Sequence, residues 1–271
     1  MVVLGRLRNR NAAGHANDLI YAALLCLGYL LFYGWLLARS DWFPYVMDNN
    51  ESFSSLWHAT NLYHFGLERT FGLTDEAYGL APEAHPYVYT HQGNFPRLFA
   101  LLLYAAGART VEAQIVLTTF TVGLAALLLA FTFLSRLSGN RAFAALACAI
   151  LFTDYVLVAQ WQVVTYRVWH AFFVFAVFLC VDRLERDRSI GAWLLLAFTA
   201  ACLFYFELIF AAFLAAAAGL YVLFRNTKRP GTVVLAGTAL GAGGLLSVFV
   251  LCVQIVLYMG WDNFLRDVQY T

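Results

Sequence analysis

Charge is the scarcest property of this chain. Only 12% of its 271 residues are Asp, Glu, Lys or Arg and 62% are hydrophobic, against roughly 25% and 45–50% in soluble domains. That balance excludes an ordinary soluble domain and requires a membrane protein. Cysteine is sparse and chemically silent. Cys26, Cys148, Cys180, Cys202 and Cys252 all fall inside apolar runs, so no disulfide framework lies outside the membrane and no CxxC pair offers itself to a metal. There is no HExxH, and His58 and His64 stand six apart, off the spacing that stacks two ligands on one helix face, which argues against zinc. No Ser or Cys is set beside a His as covalent acyl transfer would want, and no internal repeat suggests the paired halves of a transporter. The first apolar run is too long for a signal-peptide h-region and has no small-residue cleavage site, so it stays as an anchor. No cofactor is called for, a divalent metal is left open, and no nucleic-acid partner is expected.

What is present is a series of apolar runs at 19–38, 113–135, 142–159, 165–181, 190–206, 208–224 and 232–258. A helical crossing takes about 20 residues, so these predict an all-α, polytopic transmembrane bundle of about seven spans in one domain, residues 1–271. Basic residues give it a direction. Arg6, Arg8 and Arg10 precede the first run; Arg136 and Arg141 flank one turn; Arg183, Arg186 and Arg188 another; Arg225, Lys228 and Arg229 a third. The positive-inside rule assigns all of these ends to the cytoplasm. Residues 1–18 form a cytoplasmic N-terminus, 113–258 the bundle, and 39–112, the 160–164 connection, the turn at Glu207 and the tail 259–271 face outward. The small-xxx-small pattern Gly237 to Gly241 is suited to close helix packing.

The segment 39–112 is too long and too patterned for a passive linker. It holds His58, His64, His85 and His91, and seven acidic residues between Asp41 and Glu83. Phe53, Leu56, Trp57, Tyr63 and Leu67 recur at helical spacing, with Glu51, Ser55 and His58 on another face. This predicts an amphipathic interfacial helix from Asn50 to about Leu67. A Gly, Pro and Tyr-rich loop follows. "PRLFALLLYAAGA" then makes a second helix beginning at Pro96, a residue favoured in a first helical turn and here opening a helix too short to span.

Asp48 and Glu51 have two readings. Asp-x-x-Glu ahead of a helix is a variant capping box, in which each side chain satisfies a backbone N–H of the first turn. A carboxylate held just above the bilayer also fits a general base toward a hydroxyl nucleophile. His58 lies two turns from Glu51 on a similar side. His91 and Arg97 in "YTHQGNFPR" are suited to gripping a phosphate through charge-assisted hydrogen bonds, or to anchoring at headgroup level. Arg167 and His170 in "TYRVWH", and Glu207 in "FYFELIF", stand at outer ends of apolar runs. Charged groups there face a cavity or a partner, or snorkel to the interface. Asp154 and Gln160 read as solvated ends of the same rim.

The order of these parts resembles the GT-C class of membrane glycosyltransferases, in particular the protein O-mannosyltransferases and the aminoarabinose transferases that act on lipid A. The resemblance is carried by one anchor, an outward loop that opens on acidic residues, "HPYVYTHQGNFPRLFALLLYAAGARTVEAQIVLTTF", and paired spans joined by the basic turn "LSGNR". Asn50-Glu51 stands where the class has Asp-Glu, and "NFPRL" where it has Pro-Pro-Leu. "TYRVWH" carries an Arg followed by His170 in place of an acid. The resemblance implies an inverting transferase of a bacterial inner membrane that takes a sugar from a polyprenyl-phosphate donor to a lipid, glycan or protein acceptor on the outer side. Asp48 or Glu51 would be the base. His58, His91, Arg97, Arg167, His170 and Glu207 would bind substrate. Members usually continue through further spans, so the resemblance implies either a truncated product or a remainder that lies elsewhere. The competing reading is a non-enzymatic membrane protein, a transporter or assembly subunit, whose outward loop binds a ligand.

Overall fold

A computed structural model describes residues 2–39, 49–74, 94–154, 167–227 and 229–270, and every regular element among them is a helix. In chain order these are α1 (Val2–Ala38), α2 (Asn49–Phe65), α3 (Leu67–Thr70), α4 (Phe95–Ala105), α5 (Val111–Thr118), α6 (Leu124–Ser138), α7 (Arg141–Thr153), α8 (Arg167–Asp187), α9 (Ile190–Phe206), α10 (Leu208–Arg225), α11 (Pro230–Met259) and α12 (Trp261–Tyr270). Four stretches are long and apolar enough to cross a membrane: Asp18–Leu36 within α1, Val111–Ser138, α10 and α11.

Helix ends follow local chemistry. Thr110, Asn140 and Ser189 each accept a bond from the backbone N–H three residues on, satisfying one of the orphan donors of a first turn. Gly139 ends α6 in the left-handed region at φ 67, where a residue without Cβ is unstrained. The sequence predicts one helix through Leu67, but Gly66 at φ 83 breaks it and Leu67 opens α3.

Between α5 and α6 the chain makes one π-helical turn, Thr119–Gly123. Such a turn frees backbone acceptors within a helix. The Tyr29 hydroxyl donates to the Thr119 carbonyl at 2.8 Å, and one turn further along α1 the Tyr33 hydroxyl donates to the Phe152 carbonyl of α7 at 3.2 Å. Two tyrosines on one face of the anchor therefore tie it to two other helices.

The tightest seam joins α9 to α11. A Cβ on Gly243 would lie 2.2 Å from the Ala197 carbonyl oxygen and 2.7 Å from the Ala200 Cβ, and one on Gly244 would press on the Phe204 ring. Gly237 and Gly241 do not serve the packing role that their spacing suggests, because nothing lies within 4 Å of a Cβ built on either. The face turned to α9 is set by the crossing point of the two helices, half a turn beyond the pattern that the sequence displays.

Polar links define two ends of the bundle. At one end Arg141 of α7 pairs with Asp18 of α1, Arg136 of α6 reaches Asp182 of α8 at 3.2 Å, and Asn226 beyond α10 donates to Glu185 of α8 at 2.5 Å. Trp193 near the start of α9 donates to Thr238, in the third turn of α11. This is the end that carries Arg183, Arg186, Arg188, Arg225 and Arg229. The chain turns back at the opposite end, where α2, α4, the start of α8 and the α9–α10 corner meet.

Candidate functional site

The inner face of α2 mixes polar and apolar side chains. Ser55, His58, Ala59 and Leu62 are buried, while Tyr63 and Leu67 stand 46% and 45% exposed. Ala59 packs on Ala100 and Tyr104 of α4, and Leu56 reaches Val111 and Ile115 of α5. Below this contact Gln114 donates to the carbonyls of Ala100 (3.0 Å) and Ala108 (2.9 Å), clamping the turn that links α4 to α5.

His58 is fully buried and close enough to feel the Arg97 charge. Burial first, and that guanidinium second, hold its pKa far below the usual imidazole range, because both disfavour the imidazolium. His58 is therefore a neutral ring beside a cation. Arg97, only 5% exposed, donates through Nη1 to Thr74 Oγ1 at 2.5 Å, and Thr74 donates in turn to Asn94 Oδ1 at 2.7 Å. Asn94 precedes α4, yet its side chain makes no cap bond to that helix. It accepts from Thr74 and lies near the hydroxyl of Tyr205 in α9. Tyr205 donates to Gln254 of α11, whose amide nitrogen donates to the Phe71 carbonyl after α3. One chain of bonds thus joins the short helices to the long ones.

Two residues past Tyr205 lies the second cluster. Glu207 is the single extended residue between α9 and α10, its N–H bonded to Leu203 and its carbonyl accepting from Ala211. Its carboxylate lies 2.8 Å from Nε2 of His170, one turn into α8. An ionised carboxylate can only accept, so Nε2–H donates. Phe206 and Phe210 enclose the imidazole at 5.1 and 4.3 Å between ring centroids. Next to His170, Trp169 takes the rings of Phe95 and Phe99 of α4 edge-on at 5.1 and 5.3 Å. The aromatic contact holds the two polar clusters against each other.

Of the residues singled out by sequence, His58, Arg97, His170 and Glu207 converge on this end of the bundle. His64 is exposed on α2 and Asp154 is exposed at the end of α7. Asp48, His85, His91 and Gln160 lie outside the described residues, as do the side chains of Glu51, in the first turn of α2, and Arg167, the first residue of α8. Thr74, Asn94, Tyr205 and Gln254 were missed. Gln254 and Gln114 did carry a signal, since an amide inside an apolar run must find partners. No group of three His, Cys, Asp or Glu that could hold a metal occurs among the described residues.

The arrangement offers a fixed cation, a neutral imidazole and a paired carboxylate at one end of an apolar bundle. Chemically it can supply charge and hydrogen bonds to an anion. No protein-family model, curated protein or solved structure matches this chain.

Proposed function

We propose that the protein is an inverting glycosyltransferase of the GT-C type, moving a sugar from a polyprenyl-phosphate donor to a lipid, glycan or protein acceptor at the outer surface of a bacterial inner membrane. The observation that carries this reading is Arg97. A guanidinium held 5% exposed, on a helix too short to span and with its hydrogen bonds directed by Thr74, is a preorganised counter-charge for a departing phosphate. In this reading α7, α8 and α9 also cross, giving seven spans, and the basic end faces the cytoplasm.

The acceptor oxygen bonds to the anomeric carbon as the bond from that carbon to the phosphate oxygen breaks on the opposite face, which inverts the centre. The acceptor proton passes to the carboxylate of Asp48 or Glu51. The phosphate leaves with the bonding electron pair, and its charge is met by Arg97 with Arg167 and His91. His58, neutral, supplies a hydrogen bond rather than charge, and His170 with Glu207 orients sugar hydroxyls at the rim.

Membranes containing the protein are incubated with radiolabelled polyprenyl-phosphate sugars, and wild type is compared with Asp48→Asn, Glu51→Gln and Arg97→Gln. Transfer by the wild type, with loss in one carboxylate variant and in Arg97→Gln at equal insertion, is the expected result. Undiminished transfer in both carboxylate variants removes the assignment of the base. A wild type inert toward every donor would favour the ligand-binding membrane protein instead.

A further inference from the structure

A second site is built at the basic end, and none of its lining residues enters the transfer proposed above. Between α6, α8 and α9 lies a groove of about 590 Å³ whose walls include Thr132, Arg136, Ala176, Cys180, Arg183 and Thr199, with Phe172 at its inner end. Leu195 on its wall is 39% exposed and faces outward, so the groove opens on the surface that a bilayer would cover.

Its charge is one-sided. Asp182 is the carboxylate at the mouth, and it is shared by Arg136 at 3.2 Å and Arg186 at 2.6 Å. The neighbouring Glu185 is engaged by Asn226 and Arg225. Arg183 lies close enough to Cys180 to act on it electrostatically and has no acidic partner among the described residues. With Asp182 shared by Arg136 and Arg186 and Arg183 left over, the mouth is positive. The hydroxyls inside are self-satisfied, Thr132 on the Leu128 carbonyl and Thr199 on the Leu195 carbonyl, which leaves the walls apolar to an occupant.

The dimensions point the same way. At about 1.5 Å rise per residue the wall from Arg183 to Phe172 is about 16 Å long, close to the ~15 Å of hydrocarbon in one leaflet. A cationic mouth at headgroup height above an apolar slot one leaflet deep matches a molecule with an anionic head and a hydrocarbon chain. Basic pockets of this kind between membrane helices hold acidic lipid headgroups.

We propose that this groove is a selective site for an anionic glycerophospholipid of the leaflet at the basic end, its phosphate between Arg183 and Arg136 and one acyl chain along Ala176 and Thr199 toward Phe172. The groove between α1 and α7, of about 400 Å³, is lined by Tyr21, Leu25, Gly28, Ala149, Phe152 and other uncharged residues. It has nothing with which to select a headgroup and serves as the internal control. The proposal is independent of glycosyl transfer, and its readout is lipid binding alone.

The purified full chain in detergent is titrated with phosphatidylglycerol or phosphatidylcholine, and retained lipid is counted by native mass spectrometry alongside the melting temperature. Saturable retention of phosphatidylglycerol over phosphatidylcholine is expected. Arg183→Gln should weaken it about fivefold, Arg183→Lys should keep most of it, and Thr199→Phe should block binding of both lipids at this site. Ala149→Leu in the other groove should change nothing. Equal retention of the two lipids by the wild type, or an unchanged preference in folded Arg183→Gln and Thr199→Phe, overturns the proposal.

Discussion

The imidazole of His170 and the carboxylate of Glu207, 37 positions apart in sequence, meet at 2.8 Å across the one-residue corner that joins α9 to α10. Neither is fully buried: the side chains are 23% and 29% exposed. The pair has one side toward Phe206 and Phe210 and another open to whatever approaches the rim.

Removing either partner should cost about 1 kcal/mol. His170→Ala, Glu207→Ala and the double variant, compared by denaturation in detergent, should be non-additive, the double variant being little worse than either single one. Full additivity would mean that the two side chains do not interact. Glu207→Gln keeps an acceptor and should lose less than Glu207→Ala.

Arg97→Gln should lower stability by roughly 1.5–3 kcal/mol, since it removes the charged bond to Thr74 and the anchor of the Thr74–Asn94 pair. Arg97→Lys keeps the charge but not the planar fork, so it should recover little of the stability. Thermal melting of the three proteins decides this, and a lysine variant as stable as the wild type would show that charge alone matters there.

The neutral state of buried His58 makes stability pH-dependent. Its folded pKa is depressed, so below about 6.5 the unfolded chain binds a proton that the folded chain does not. Unfolding free energy should therefore rise with pH up to about 6.5 and be lost progressively as pH falls below it. His58→Gln should flatten that slope in melts recorded from pH 5 to 8. An unchanged slope would mean that other groups set the acid limit.

Gly243→Ala puts a methyl where 2.2 Å separates it from the Ala197 carbonyl oxygen. Backbone cannot yield as a side-chain tip does, so a loss of roughly 1–3 kcal/mol is expected. Gly241→Ala meets open space and should be neutral or gain up to ~1 kcal/mol from helix propensity. Equal melting temperatures for the two variants would contradict the α9–α11 seam.

The contrast between these glycines shows what could be read in advance. Gly237 and Gly241 display the familiar spacing, but spacing records only which residues share a face. Which face meets a neighbour is decided by where two helices cross, and α11 crosses α9 at Gly243. His58 was placed on a face of α2 away from Tyr63, while its burial beside Arg97 of α4 could not be inferred.

The sequence by itself determined that the chain carries helices long and apolar enough to cross a membrane, where the longest of them lie, and that its basic residues gather at particular helix ends. These are local properties, set by hydropathy over about 20 residues and by the chemistry of the first and last helical turns. Only the tertiary structure decided that His58 meets Arg97, that His170 meets Glu207, and that uncharged Thr74, Asn94, Tyr205 and Gln254 join them. Each of those contacts closes a gap in sequence that no local periodicity encodes, and each is selected because a polar group among apolar helices must find a partner inside the fold.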